Sequence, residues 1–231
     1  APGSNISRGR NLAIAAATGD VIAATDAGVV LSPNWLEELV APLADPAVHV
    51  VSGWFEPDPY TDFEVVMGST VLPARDDVDP ARFLPSSRSV AFRKEAWSAI
   101  GGYPEWLEHS EDLVFDLALR EQFGPFAFAP EAVAYFRPRA SLRSFYRQYF
   151  AYARGDGKAN LWPRRHAVRY ATYLLGLPLV RRAIWRERLI GWLLLAFGVG
   201  AYSRRPAERL WANTWGWRPP ARLRAFALIP I

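Results

Sequence analysis

Val21-Ile22-Ala23-Ala24-Thr25-Asp26-Ala27-Gly28 is the stretch on which the fold turns. Five uncharged residues with no helical periodicity, closed by an acid and a glycine, read as a short buried strand with a carboxylate at its C-terminal end. Upstream, residues 7–18 read as a helix with a small-residue face, stopped by Gly19. Downstream, Ser32-Pro33 opens a second helix, with Ser32 as cap and Pro33 in the first turn. Val48 to Trp54 is the next strand. Strand alternating with helix is the signature of an α/β domain with a mostly parallel sheet flanked by helices.

Farther along, residues 56–86 are rich in Pro, Asp and Ser and read as long loops. Ser89–Phe92 is expected as a strand, Lys94–Ile100 as a short helix ended by Gly101-Gly102, and Ser110–Arg120 as a helix capped by Ser110. One or two strands are expected over Pro125–Phe136, then a helix over Leu142–Ala153 and a glycine-rich turn. Neither an internal repeat nor a low-complexity tract is present.

The chain has 231 residues, 51% of them hydrophobic, enough for one substantial core. It has no cysteine, which excludes disulfides, thiolate metal sites and cysteine nucleophiles. His49, His109 and His166 are too scattered for a metal cluster. The net charge of +4 hides a split: from Arg137 onward there are 19 Lys+Arg against 3 acids, and before it 8 against 20. Two uncharged, largely apolar runs, Tyr170–Val180 and Leu189–Tyr202, lie in the basic half and are bracketed by arginines. The longer would be about 21 Å as a helix, short of a bilayer core of about 30 Å. Interfacial or re-entrant helices, with arginines at the headgroups and Trp185, Trp192, Trp211, Trp215 and Trp217 at the boundary, fit this pattern. The arginines form no continuous polar stripe with interleaved aromatics, so nucleic acid is not the expected partner. The division expected is an α/β domain over 1–160 and a basic, Trp-rich helical region over 161–231.

Three constellations carry chemistry. Arg10-Asn11 on a helix precede Asp26-Ala27-Gly28, and a carboxylate at a strand's C-terminal end sits where open α/β sheets bind ligands. Gly101-Gly102-Tyr103-Pro104-Glu105 leads to Ser110-Glu111-Asp112, two acids in a first helical turn, where the helix dipole favours the ionised form. An ionised carboxylate there is a candidate general base. Gln148 to Arg154-Gly155 closes a helix with a cation suited to a departing diphosphate.

Taken in order, these motifs resemble the GT-A catalytic domain of family 2 glycosyltransferases over about Asn5–Lys158. The resemblance implies a nucleotide-sugar-dependent transferase that inverts at the anomeric carbon. It makes Asp112 the catalytic base, with Glu111 beside it, and Asp26 the first acid of the Asp-x-Asp motif. Arg10, Asn11, Asp26, Gly28, Gln148 and Arg154 would then hold the nucleotide-sugar, and Arg88, Ser89, Trp106 and His109 would face the acceptor. A divalent metal, Mg or Mn, would rest on Asp26, although Gly28 replaces the usual second, metal-ligating Asp. The long Gln148–Arg154 spacing and Gly155 in place of Trp imply a single-addition enzyme rather than a polymerase. The resemblance is to the bacterial type of this family, and the basic, Trp-rich C-terminal region leads to the expectation of an enzyme at the cytoplasmic face of the plasma membrane, peripheral or re-entrant, acting on a saccharide or lipid-linked acceptor. The family's opening strand–helix–strand has no counterpart ahead of Asn5, so an N-terminally truncated domain with an exposed sheet edge is expected. The competing expectation is a non-catalytic membrane-associated scaffold or sugar-binding module on the same fold.

Overall fold

The computed structural model describes residues 3–229. It divides into two compact units, one made of Ala1–Glu64 and Pro73–Ala159, the other of Val65–Leu72 and Asn160–Ile231. Segment 65–72, placed by sequence in the first domain, is thus counted with the second.

The first unit begins with α1 (Ile6–Ala16), started by Asn5, whose side chain accepts from the Arg8 N–H at 2.9 Å. Strands β1 (Val21–Ala24), β2 (Val29–Leu31), β3 (Val50–Pro57), β4 (Val90–Arg93) and β5 (Ala127–Phe136) form one sheet in the order β1-β4-β3-β5-β2. The expectation of a mostly parallel sheet is corrected. Only β3 and β5 pair in parallel, while β1/β4, β3/β4 and β2/β5 are antiparallel. Strands β1, β3 and β5 do run the same way, but the reversed β4 is inserted between β1 and β3. One consequence is that β4 starts at the rim where β1 ends: Ala24 lies opposite Val90.

Alternation along the strands builds a core on each face of the sheet. Val50, Val90 and Phe92 pack with Ile14 of α1 and with Phe115 and Leu119 of α5 (Glu111–Phe123). Val51 and Ala91 point the other way, onto Trp35 and Leu39 of α2 (Trp35–Val40). Gly53 marks an irregularity in the β3/β5 register; a side chain there would run into the Ser89 hydroxyl and the Ala132 carbonyl.

Two further expectations are corrected. Residues 56–86 contain α3 (Asp62–Val71). Its start is a capping box: Thr61 Oγ1 accepts from Glu64 N–H at 3.3 Å, while Glu64 Oε2 accepts from the N–H groups of Tyr60 and Thr61 at 2.6 and 3.1 Å. Glu64 is fully buried and also takes a hydrogen bond from Arg137 Nε at 2.8 Å. Burial opposes its charge, but the two N–H groups and Arg137 outweigh that and leave its carboxyl below the usual glutamate range. The turn expected after Ala153 is instead the last part of α6 (Leu142–Lys158), for a reason that belongs to the site.

In the second unit, α7 (Pro163–Ala171), a π-helical turn (Thr172–Gly176) and α8 (Leu177–Glu187) follow one another, and Arg188 turns the chain into α9 (Leu189–Asn213). Pro178 offers no N–H to the preceding turn, which accounts for the widened π geometry beside it. Gly191 lets α9 pack directly on the α8 backbone at Ile184. A last helix, α10 (Pro219–Phe226), is tied back by Arg222, which donates to the Thr214 carbonyl at 3.1 Å and lies 4.6 Å over the Trp211 ring. No helix among the described residues is long and apolar enough to cross a membrane.

Candidate active site

Arg10 is the centre of the site. Its position on α1 brings the guanidinium to Asp26, two residues beyond the end of β1, where Nη2 donates to Oδ1 at 2.8 Å. Its Nη1 donates to Glu111 Oε1, in the first turn of α5, at 3.2 Å. The guanidinium carbon lies over the Tyr103 ring, 5.3 Å from its centroid, and that ring stacks on Phe115 at 3.8 Å. Three separate chain segments thus converge at the rim where β1 ends.

The acids at the start of α5 are not kept in the ordinary ionised range, as the dipole argument expected. Burial, then the neighbouring Asp112 charge, pushes the Glu111 carboxyl up, against the pull of Arg10. Burial likewise pushes Asp112 up; the Leu113 N–H and Arg10 pull the other way, and the charge of Asp26 adds to the rise. Asp116, one turn on, is deeply buried and raised well above the usual aspartate range, first by burial and then by Asp112. Desolvation therefore outweighs the helix dipole here. The result is a group of acids around one cation, with Asp112 held as a stronger base than a surface aspartate.

Ser110 does not cap α5 with its side chain. It adopts φ 62°, in the left-handed region, and its hydroxyl donates to Asp156 Oδ1 of α6 at 2.9 Å. Gly155 explains why α6 continues through this point. A Cβ there would meet the His109 carbonyl oxygen at 2.5 Å and Ser110 Oγ at 2.7 Å, so only glycine lets the helix seat against the turn that presents Glu111 and Asp112.

The other sequence-derived residues fall in varied places. Asn11 is wholly engaged in holding the loop after α4 (Lys94–Ala99): Nδ2 donates to the Tyr103 carbonyl at 2.9 Å and to Glu105 at 3.1 Å, and Oδ1 accepts from Tyr103 N–H at 2.8 Å and Trp97 Nε1 at 3.1 Å. Gly28 has φ +83° in the open turn between β1 and β2. Ser89 is in the core, 1% exposed, donating to the Ala132 carbonyl at 2.8 Å and accepting from Trp35 Nε1 at 2.9 Å. Arg88, just ahead of β4, lies 4.2 Å over the Phe136 ring and donates to Ser86 Oγ at 2.8 Å. Trp106 is exposed and His109 half-buried. Gln148 donates to its helix neighbour Tyr152 at 2.8 Å, and Arg154 is exposed on α6. The contact from α6 to the acid-bearing turn is made by Gly155 and Asp156, not by Arg154. Tyr103, Gly155 and Asp156 are the site residues that sequence reasoning did not assign. Tyr103 was visible only as part of the Gly101-Gly102-Tyr103 motif and Gly155 only as the start of a glycine-rich turn.

One oxygen of Asp26 is taken by a guanidinium, Gly28 offers no ligand, and no group of three His, Asp or Glu among the described residues is placed to hold an ion. A divalent metal would therefore rest on Asp26 together with the diphosphate of a bound donor.

Residues 2–97 match the family model described as Glycosyl transferase family 2. Two curated proteins called "Pre-mycofactocin glycosyltransferase", from Mycobacterium tuberculosis strains CDC 1551 / Oshkosh and ATCC 25618 / H37Rv, are each 28% identical to it over 200 residues. The match covers 83% of this chain, and the chain spans 40% of the length of those relatives. Among solved structures, the fold is similar to that described as "Mannosyltransferase PcManGT from Pyrobaculum calidifontis in complex with GDP-Man and Mn2+", with TM-score 0.54, 21% identity, and coverage of 97% of this chain and 66% of that one.

Proposed function

We propose that the chain forms the catalytic part of a transferase that moves a sugar from a nucleoside-diphosphate donor to an acceptor hydroxyl, with inversion and one sugar per cycle. The observation that carries this reading is Arg10 held between Asp26 and Glu111 with Asp112 beside them. In the proposed reaction the acceptor oxygen attacks the anomeric carbon from the side opposite the diphosphate. Its bond forms as the carbon–diphosphate bond breaks, and its proton passes to the Asp112 carboxylate. The same guanidinium that balances the acids would meet charge developing on the leaving diphosphate. Exposed Trp106 offers an aromatic face to an acceptor ring. The close seat of Gly155 on His109, which leaves no room for a tryptophan, supports single addition.

The test is release of nucleoside diphosphate by the full chain from UDP-, GDP- and dTDP-sugars, with Asp112→Asn as control. Turnover in the wild type and its loss in the variant are expected. Calorimetric titration that finds no binding for any of the three donor classes would overturn the proposal.

A further inference from the structure

The second unit leaves its longest apolar surface bare. Between Arg188 and Arg204, α9 carries no charge, and Leu189, Trp192, Leu193, Leu194, Phe197 and Tyr202 are all exposed, Phe197 by 77%. Trp192, Leu193 and Leu194 are consecutive. At about 100° per residue their exposure wraps the apolar surface far around the helix, wider than the single stripe that one protein groove would cover. Surface of this kind is matched by an apolar solvent.

Charge says which one. From Asn160 onward there are 13 arginines and 2 glutamates. They gather at the ends of the apolar runs, with Arg181, Arg182, Arg186 and Arg188 at one end of the α9 run and Arg204 and Arg205 at the other. One face of α8 forms an open groove of about 800 Å³ lined by Tyr173, Leu177, Arg181, Arg182, Trp185 and Arg186. Its guanidiniums are exposed, and that of Arg181 lies 5.4 Å from the Trp185 ring. Guanidiniums match phosphate oxygens, and Trp and Tyr favour the level where headgroups meet acyl chains.

We propose that α8 and α9 form a docking surface for an anionic phospholipid bilayer, lying in its interface with the α8 groove among the headgroup phosphates. The uncharged part of α9 is too short to reach across, and both of its ends carry arginines that would stay at the headgroups. The surface uses no residue of the candidate active site, so this proposal and the transferase reading stand or fall separately.

The test is sedimentation of the full chain with vesicles of phosphatidylcholine alone and with phosphatidylglycerol added. Binding to the anionic vesicles, weakened by salt, is expected, with quenching of tryptophan fluorescence by brominated acyl chains. Replacing Arg181, Arg182 and Arg186 together by serine should weaken binding roughly fivefold per arginine. Phe197→Glu should abolish quenching. These side chains are exposed, and far-UV circular dichroism should be unchanged in both variants. Absence of binding to anionic vesicles at low salt, or binding unaffected by both variants, overturns the proposal. A dimer by light scattering with no vesicle binding also overturns it, and would assign the surface to a second copy of the chain.

Discussion

Arg10 Nη2 and Asp26 Oδ1 meet at 2.8 Å although helix and strand end are separated by sixteen positions. The contact fixes the guanidinium among Asp26, Glu111 and Asp112, three acids that would otherwise repel one another. Replacement of Arg10 by alanine is therefore expected to lower turnover by about 10²- to 10³-fold, the usual scale for a lost charge-stabilising donor. Arg10→Lys should recover little, because an ammonium cannot reach two carboxylates as a planar fork does. Steady-state rates for both variants check this.

Asp112→Asn should lower kcat by about 10²- to 10⁴-fold while leaving donor affinity within a small factor, since the general base acts on the acceptor proton. The wild-type rate should fall on the acid side at a pH above the ordinary aspartate range, because burial raises the Asp112 carboxyl. Arg10 lowers that carboxyl, so in any Arg10→Ala protein with measurable rate the acid limb should move to still higher pH. A pH–rate profile reads both effects.

Stability and pH should be linked in opposite senses at two buried acids. The folded state depresses Glu64, so its contribution is present above the unfolded glutamate range and is lost as pH falls through the lower, folded value. Glu64→Ala should cost about 2–3 kcal/mol near neutral pH, and progressively less on acidification. Asp116 is raised in the folded state, so its proton is held more tightly when folded and its ionisation opposes folding as pH rises. Asp116→Asn should therefore gain stability relative to wild type with increasing pH. Urea melts across pH measure both slopes.

Gly155→Ala sets two effects against each other. Helix propensity favours alanine by about 1 kcal/mol. The added methyl would stand 2.5 Å from the His109 carbonyl oxygen, and this backbone contact cannot swing away. Overpacking of that kind costs about 1–3 kcal/mol, so net destabilisation is expected, together with a fall in kcat as the 109–112 turn shifts. Chemical melts and rates on one preparation decide it.

What the sequence made legible follows from how local each signal is. The acid after Val21–Thr25, the two acids opening α5 and the helices around them depend on nearby residues, and their positions could be read directly. The direction of β4 could not, because strand pairing is set by partners far along the chain. The start of α3 was written in Thr61-x-x-Glu64, a capping box hidden within a stretch whose proline and aspartate content suggested loop. The Asn11 and Ser89 side chains looked available for ligands, yet both are used up by groups distant in sequence: the loop at Tyr103 and Glu105, and the pair Trp35 and Ala132. The raised acids were missed for a related reason. A first-turn position is visible in sequence, whereas the depth at which that turn is buried is a property of the assembled layers.

The reversed β4 has a consequence for how such a domain can diversify. Residues 58–89 leave the end of β3 and come back beside the same strand, where Gly53 N–H donates to the Ser89 carbonyl at 3.0 Å. The irregular part of that excursion after α3, residues 73–88, can lengthen cheaply, since doubling a flexible loop costs only about 0.6 kcal/mol of closure entropy. Insertions or deletions in residues 73–88 can remodel the neighbourhood of Arg88 while the sheet, the Arg10 clamp and Asp112 stay in register.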